Sequence, residues 1–367
     1  MTAWPDAGAE LHVVVPAGID DPRRPSGGNF YDRRLCDELR RQGWLVHEHL
    51  VPGTWPTPDR SDRAGLDALL AELADGSLVL VDGLIASAAE LLVRTAQRVR
   101  LVVLVHMPLA EASPVAEVKR IEGAVLNAAA AVITTSAWAR QWVIAHLGVD
   151  SHRVSVAIPG VDPAPPAEPT ASGGNLLCTG PVTPAKGYDV LLTALEQIAD
   201  LTWQCTCAGA LDLDPGFAES LTAAAARAGL ADRLRFCGPL TRTELDGLRE
   251  RTDLLISPSR RESYGMAVTE ALASGIPVLA TDVGGHGEAV GRASDGSQPG
   301  MLLDAGDAHG LADALRRWLT DPDVRDEWRR SASLRSRDLP DWSEPARTVT
   351  TVLQAIRTKP DPDSARA

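Results

Sequence analysis

The fold is decided by one stretch of the sequence, which runs Asp253-Leu-Leu-Ile-Ser-Pro-Ser-Arg-Arg-Glu262-Ser-Tyr-Gly265-Met-Ala-Val-Thr-Glu270-Ala-Leu-Ala-Ser-Gly-Ile-Pro-Val-Leu-Ala280. Its first five residues form a short apolar run, which is typical of a buried parallel strand. Gly265 permits a sharp turn, and residues 266–274 have the composition of a helix. A Gly-Ile-Pro sequence ends that helix, and a second apolar strand follows. This order of strand, loop, helix and strand predicts a parallel α/β sheet.

Two glutamates set eight positions apart give this stretch its chemistry. Glu262 is predicted in the loop ahead of the helix, and Glu270 is predicted on the helix itself. The backbone N–H groups at the helix start lie between them and form a ready anion site. Each carboxylate can accept hydroxyl groups on its own side of that anion. The arrangement suits a ligand in which a sugar is linked through a diphosphate to a ribose.

The rest of the chain alternates strands and helices in both halves. In the first half, the strands are predicted at apolar runs such as 78–81, and helices are predicted at 31–42, 66–73 and 87–97. A proline-rich segment at 159–169 separates this half from a second, similar alternation. We therefore predict two doubly wound domains, residues 1–163 and 164–340. Residues 341–367 are predicted to form a terminal helix and a disordered tail.

Composition excludes several classes of protein. The chain has 367 residues, a net charge of −13 and no evident basic patch, which argues against nucleic-acid binding. Its longest apolar runs, such as 101–105, are too short to cross a bilayer, so no stable membrane insertion is expected. The first residues lack the regions of a signal peptide, and the five cysteines have no metal-like spacing. These features predict a cytoplasmic protein without a metal site.

The glutamate stretch resembles the Glu-x7-Glu signature of the family 4 retaining glycosyltransferases, and similar elements occur in the expected order at 131–136, 158–162, 179–192 and 282–288. The resemblance implies the GT-B fold: two Rossmann-like domains facing across a cleft, with a C-terminal helix that crosses back to the N-terminal domain. It also implies that a hexosyl group moves from a nucleotide sugar to a hydroxyl acceptor with retained configuration. The nucleotide sugar is then a substrate, with UDP favoured and GDP an alternative, and no cofactor is expected.

The resemblance also assigns roles to individual residues. His106 and Glu262 would position the donor sugar, and Lys186 would hold the leaving diphosphate as catalytic groups. Glu270 would take the ribose hydroxyls. The full donor-binding set is Gly27, Gly28, Gly180, Lys186, Gly238, Leu240, Arg261, Glu262, Tyr264, Gly265, Met266, Ala267 and Glu270. The acceptor set is Asn29, Ser136 and Arg140.

Several of these residues also have a plain structural interpretation. The glycines at 27–28 fit an ordinary turn, because the dinucleotide fingerprint Gly-x-Gly-x-x-Gly is absent. His106 fits a satisfied core histidine, although strand carboxyl ends often carry ligands. Lys186 fits an exposed loop lysine. These structural interpretations stay open beside the functional ones.

One departure from the family pattern leaves the function open as well. The family usually has an arginine just after the glycine at position 180, where this chain has Pro181, so Arg260 or Arg261 would have to supply the second charge. Two other functions therefore remain, a UDP-sugar 2-epimerase-like isomerase and a non-catalytic nucleotide-sugar-binding protein. The sequence identifies neither the sugar, the base nor the acceptor. A small polar acceptor is favoured, and a homodimer is compatible with the sequence.

Overall fold

The computed structural model describes residues 8–21 and 26–358, whose contacts divide them into two compact units. The described part of the first unit comprises residues 8–20, 26–160 and 342–358. The second unit comprises residues 161–341 together with residue 21. Each unit is built around its own parallel sheet of six strands.

The sheet of the first unit has the strand order β2-β1-β3-β4-β5-β6. The strands are β1 (Glu10–Pro16), β2 (Leu45–Val51), β3 (Leu78–Asp82), β4 (Arg100–Val105), β5 (Ala131–Thr134) and β6 (Val154–Val156). The helices are α1 (Gly27–Arg41), α2 (Arg60–Ala71), α3 (Gly83–Ala86), α4 (Leu92–Thr95), α5 (Leu109–Ala112), α6 (Ala116–Ala128) and α7 (Ala137–Leu147). The side chains of 101–105 are at most 2% exposed, as expected for a parallel strand covered on both faces.

The sheet of the second unit has the order β12-β11-β10-β7-β8-β9. The strands are β7 (Asn175–Thr179), β8 (Gln204–Ala208), β9 (Leu234–Gly238), β10 (Leu254–Ser257), β11 (Val278–Thr281) and β12 (Gly300–Leu303). The helices are α8 (Tyr188–Gln197), α9 (Pro215–Arg227), α10 (Arg242–Arg249), α11 (Met266–Ala273), α12 (His286–Val290), α13 (Ala308–Thr320) and α14 (Pro322–Arg335). Read from β9 to β12, this is the strand order of a Rossmann sheet.

Each sheet has one point where the direction of strand addition reverses. In the first unit it lies between β1 and β3, and in the second unit between β7 and β10. Helices that leave the two strands at such a point go to opposite faces of the sheet, which opens a crevice beyond their carboxyl ends. Candidate ligand-binding residues are therefore expected in the segments that follow these strands.

The terminal helix α15 (Ser343–Arg357) belongs to the first unit, as predicted from the family resemblance. Its start packs against α1, because the ring of Trp342 meets those of Phe30 and Tyr31 edge-on at 5.6 and 5.5 Å between centroids. Further along, Trp44 Nε1 donates a 3.1 Å hydrogen bond to Thr350 Oγ1. The tail predicted to be disordered, residues 359–367, lies outside the described residues.

The predicted alternation of strands and helices is confirmed, but the bounds of several helices of the first unit differ from those predicted. Within the helix predicted at 87–97 only the short α4 forms, and α3 precedes that range because Asp82 Oδ1 accepts from Leu84 N at 2.6 Å and caps a helix at Gly83. The helix predicted at 66–73 begins at Arg60, where Asp59 forms a capping box with Asp62. No helix of the described residues is long and apolar enough to cross a membrane.

Candidate functional site

Lys186 and Glu262 meet at the reversal point of the second sheet. Lys186 ends a 3₁₀ turn that follows β7, and Glu262 lies in the loop between β10 and α11. The lysine Nζ lies 2.5 Å from Glu262 Oε2, and Ser259 Oγ donates to the same oxygen at 3.3 Å. Both predicted residues are thus brought together beyond the carboxyl ends of neighbouring strands.

Glycines allow the surrounding loops to approach this pair. A Cβ on Gly187, directly after the lysine, would lie 2.0 Å from Pro258 O, so only a glycine lets these two segments touch. The loop after β11 comes closer still. A Cβ on Gly284 would lie 1.6 Å from Glu262 O, and one on Gly285 would lie 2.2 Å from Ser263 O. The position of Glu262 is therefore fixed by backbone packing from two sides.

The carboxylate of Glu262 stays ionised in this setting. Burial raises its pKa, but the ammonium group of Lys186 and the hydrogen bond from Ser259 outweigh that effect and hold the pKa below its usual value. His286 is fully buried, and its pKa is lowered by that burial, so it is neutral. Its Nδ1 lies 2.9 Å from the carbonyl oxygen of Thr281 and donates to it, which leaves Nε2 to accept from Ser257 Oγ at 3.3 Å.

The helix α11 begins directly beside the pair. Gly265 has φ +107°, and a Cβ there would lie 2.6 Å from Cδ2 of His286, so a glycine is required for both reasons. Tyr264 is buried, and Met266 and Ala267 supply the first two N–H groups of the helix. These backbone donors at the helix start are suited to an anion. The residues from Tyr264 to Ala267 that were predicted to bind the donor thus lie next to Glu262 at the start of this helix.

Glu270 lies on α11 with both carboxylate oxygens engaged by arginines of α10. Arg242 Nη1 donates to Oε1 at 2.7 Å, and Arg249 Nη2 donates to Oε2. The sequence analysis did not predict either arginine. The ribose-binding role of Glu270 stays a prediction, and any ligand hydroxyl would share this carboxylate with two guanidinium groups.

The guanidinium group of Arg260, which lies near Glu262 in sequence, is engaged by other partners. Its guanidinium makes two 2.7 Å contacts with the Asp189 carboxylate and another with Pro184 O. Those contacts occupy Arg260 at an exposed position, and its replacement of the arginine missing at Pro181 stays a prediction. Arg261, which directly precedes Glu262 and is exposed, remains the other candidate.

The other predicted donor positions frame the carboxyl ends of β7 and β9. Gly180 has φ +132°, and a Cβ there would lie 3.5 Å from Cε of Lys186. Gly238 ends β9 with φ +75°, and its carbonyl accepts from Gly209 N at 2.9 Å. Leu240, two residues later, is half-buried. Gly180 lies beside the reversal point, whereas Gly238 and Leu240 follow the edge strand β9, and their contact with a ligand stays a prediction.

In the first unit, His106 follows β4 and is held by two buried aspartates. Its Nε2 lies 2.8 Å from Asp32 Oδ1 and 3.4 Å from Asp82 Oδ2. Asp32 is on α1 and Asp82 ends β3, so the cluster lies beside the reversal point of this sheet. Oδ2 of Asp32 is buried and has no hydrogen-bond partner among the described residues.

The charges of this cluster favour a protonated histidine. Burial would lower the pKa of His106, but the two carboxylates outweigh it and raise the pKa well above its usual value. Burial raises the pKa of Asp32, whereas hydrogen bonds from His106 and Leu84 N hold the pKa of Asp82 low. The ligand atoms of these three residues lie within 4.8 Å of one another, which is also the spacing of a cation site. The short hydrogen bond to Asp32 accounts for that spacing without an ion.

The predicted glycine loop is in fact the first turn of α1, which starts at Gly27 and not at residue 31. A Cβ on Gly28 would lie 3.2 Å from Cδ2 of His106, so the bare backbone lets the helix start lie against the imidazole ring. Asn29 lies in the same turn. Gly28 and His106 therefore lie side by side, and their roles in a ligand site stay predictions.

Ser136 and Arg140, predicted near the acceptor, have structural partners. Ser136 is fully buried and caps α7, because its Oγ accepts from Ala139 N at 3.0 Å. Arg140 donates from Nε to Val154 O at 3.0 Å and from Nη2 to Ser151 O at 3.1 Å. These bonds anchor the segment before β6, and the acceptor role of Ser136 and Arg140 stays a prediction.

Sequence reasoning also missed the buried Glu122 on α6. Its Oε1 accepts from Leu109 N and its Oε2 from Ala110 N, both at 2.8 Å, and Ser87 Oγ donates to it at 2.7 Å. The residue thus ties down the segment that follows His106. No local signal marks it, since its partners are 12 to 35 residues away in sequence.

Both halves of the chain match known families. Residues 1–165 match the family described as Glycosyltransferase Family 4, and residues 173–335 match Glycosyl transferases group 1. The D-inositol 3-phosphate glycosyltransferase of Pseudarthrobacter chlorophenolicus is 30% identical over 240 residues, which cover 61% of this chain and 56% of that protein. The 2-deoxystreptamine glucosyltransferase of Streptomyces kanamyceticus is 31% identical over 56% of this chain and 55% of that protein. The chain thus spans about half the length of these curated relatives.

Solved structures share the architecture over nearly the whole chain. The sucrose-phosphate synthase of Thermosynechococcus elongatus superimposes with a TM-score of 0.78 at 20% identity, covering 95% of this chain and 99% of that one. The Anabaena protein HepE, solved in complex with UDP-glucose, gives a TM-score of 0.70 at 19% identity over 95% and 98% of the two chains. Because the two family matches follow the order of the two sheets and the structures share both, the chain belongs to the family 4 glycosyltransferases of GT-B fold.

Proposed function

We propose that the protein is a retaining glycosyltransferase that moves a sugar from a nucleotide-diphosphate sugar to a hydroxyl acceptor. The observation that carries the proposal is the Lys186–Glu262 pair at the reversal point of the second sheet, beside the N-terminus of α11. That point combines a cation, the N–H groups of a helix start and a carboxylate, which two loops far apart in sequence bring together. A diphosphate flanked by hydroxyl-bearing groups needs these same three features.

The role of Lys186 follows from the charge that develops in the reaction. As the bond between the anomeric carbon and the phosphate oxygen breaks, negative charge grows on the diphosphate. The ammonium group and the N–H groups of Met266 and Ala267 stabilise that charge. Glu262 accepts hydroxyl groups of the sugar, since it stays ionised. The acceptor oxygen bonds to the same face of the anomeric carbon, and its proton passes to the leaving phosphate oxygen.

The donor base and the acceptor are inferred from the relatives and the solved structures alone. HepE was solved with UDP-glucose, which favours a UDP-sugar here over a GDP-sugar. Two relatives are named for D-inositol 3-phosphate and 2-deoxystreptamine, which favours a small hydroxylated acceptor. In this proposal the nucleotide sugar is a substrate, and no cofactor takes part.

The first experiment is a thermal-shift panel of UDP-, GDP-, ADP- and dTDP-sugars. A true donor at a hundred times its Kd should stabilise the protein by about 2.7 kcal/mol. The selected donor is then incubated alone and with small polyol acceptors, and the anomeric configuration of the product is read by NMR. A product that needs an acceptor and keeps the donor's configuration supports a retaining transferase.

Each rival function has its own result in the same experiment. An epimer formed from the donor without any acceptor would indicate an isomerase. Saturable binding without hydrolysis or transfer would indicate a binding protein. No stabilisation by any of the four nucleotide sugars would refute the proposal. Glu262→Gln is the matched variant, because it keeps the shape of the side chain but removes the charge that faces Lys186.

A further inference from the structure

The contact between Glu270 and the two arginines of α10 has a consequence for ligand recognition. Each guanidinium takes a different oxygen of the carboxylate, so neither oxygen is saturated. An ionised carboxylate offers about four acceptor positions. Two positions therefore remain, one on each oxygen, and 15% of the side chain is still accessible. Two adjacent hydroxyl groups match that pair of positions.

The two arginines are held very differently. The side chain of Arg249 is only 6% exposed, and its Nη1 donates to Asp246 Oδ1 at 2.7 Å while its Nη2 binds Glu270. The side chain of Arg242 is 39% exposed. In addition to its bond to Glu270, its Nη2 lies 3.5 Å from Asp162 Oδ2 and its Nε lies 3.5 Å from Asp246 Oδ1. A buried guanidinium clamped between two acids is a rigid group, so Arg249 fixes the direction of the Glu270 carboxylate.

We propose that Arg249, held by Asp246, is a positioning residue that aims the Glu270 carboxylate at the vicinal hydroxyls of the donor ribose. This inference rests on the proposed function, because it assumes a ribonucleotide donor. It assigns discrimination between ribose and 2′-deoxyribose to a residue that does not touch the ligand. Without Arg249 the carboxylate can rotate, and it loses the geometry that serves both hydroxyls at once.

The test compares the affinity for UDP and for 2′-deoxy-UDP by calorimetry on the full chain, or for the corresponding guanine pair if the panel selects GDP. A hydrogen bond to a charged group is worth enough for the wild-type protein to prefer UDP by about tenfold or more. Arg249→Met should bring the two affinities to within about twofold of each other, mainly by weakening UDP. Arg251→Met, an exposed arginine just beyond the same helix, is the matched control and should keep the tenfold preference.

Arg249→Lys is a second test variant for the case that Arg249→Met does not fold, because the lysine keeps the positive charge. A lysine is a single-point donor, so the preference for UDP should still fall. If both Arg249 variants retain the wild-type preference, or weaken UDP and 2′-deoxy-UDP by the same factor, Arg249 is only a structural residue and the inference is wrong. If the wild-type protein binds no nucleotide, the proposed function itself fails, which is a different result.

Discussion

Replacing Gly284 by alanine should disturb Glu262 without touching its side chain. The new Cβ would lie 1.6 Å from the carbonyl oxygen of Glu262, so the two segments must separate by roughly 2 Å to reach an ordinary contact. The residue also has φ +54°, where an alanine costs about 1–2 kcal/mol. Overpacking adds about 1–3 kcal/mol to that strain. A displacement of this size at a positioning group should lower turnover by about a hundredfold.

Gly296→Ala separates the two effects. Gly296 has φ +83°, and a Cβ there would meet nothing within 4 Å, so this variant carries the backbone strain without the clash. The free energy of unfolding is measured by urea denaturation, and donor turnover is measured under saturating donor. Gly284→Ala should be the less stable of the two, and only it should lose turnover. Equal stabilities and equal turnover numbers for the two variants would refute the reasoning that Gly284 fixes the position of Glu262.

Two further predictions concern the charged clusters. Lys186→Met should lower turnover by about 10²- to 10³-fold, because it removes the cation that faces the leaving group. Denaturation should show that the free energy of unfolding falls by less than about 1 kcal/mol, because the pair with Glu262 is partly exposed. A large loss of stability with normal turnover would contradict this prediction. In the His106 cluster, the pKa values of His106 and Asp32 are raised on folding, so these two groups bind more protons in the folded protein, and the stability that they contribute falls as the pH rises above about 4. Asp32→Asn should flatten this decline between pH 5 and 9, as followed by urea denaturation, whereas a difference from wild type that does not vary with pH would show that Asp32 does not titrate in that range.

The predictable part of the fold is the part that local patterns determine. Residues 101–105 are uniformly apolar, and such a run has few alternatives to a buried parallel strand. The error at 87–97 has a local cause of a different kind. Its composition suits a helix, but Asp82 caps a helix four residues earlier, and the chain then turns before α4 begins. The three-residue strand β6 was missed because its partner β5, and not its own sequence, makes it a strand.

The candidate site also contains residues that local sequence patterns predict and residues that they do not predict. Glu262 and Lys186 are predictable because each lies in the loop that follows a strand, close in sequence to a glycine, and the reversal of strand order brings those loops together. The arginines that bind Glu270 are 21 and 28 residues away from it on another helix, and nothing in their local sequence distinguishes them from exposed arginines. Partners of this kind depend on how two helices pack, which periodicity alone does not specify.

The loops around Glu262 show that this site depends on glycines as well as on charged residues. Gly187, Gly284 and Gly285 each bring a backbone to within a distance that a single Cβ would prevent, and the three lie on two different loops that both pack against the segment from Pro258 to Ser263. A charged side chain can adjust its rotamer by an ångström, whereas a backbone clash must move the whole segment. Substitutions at these glycines should therefore perturb donor binding even though none of them offers a side chain to the ligand.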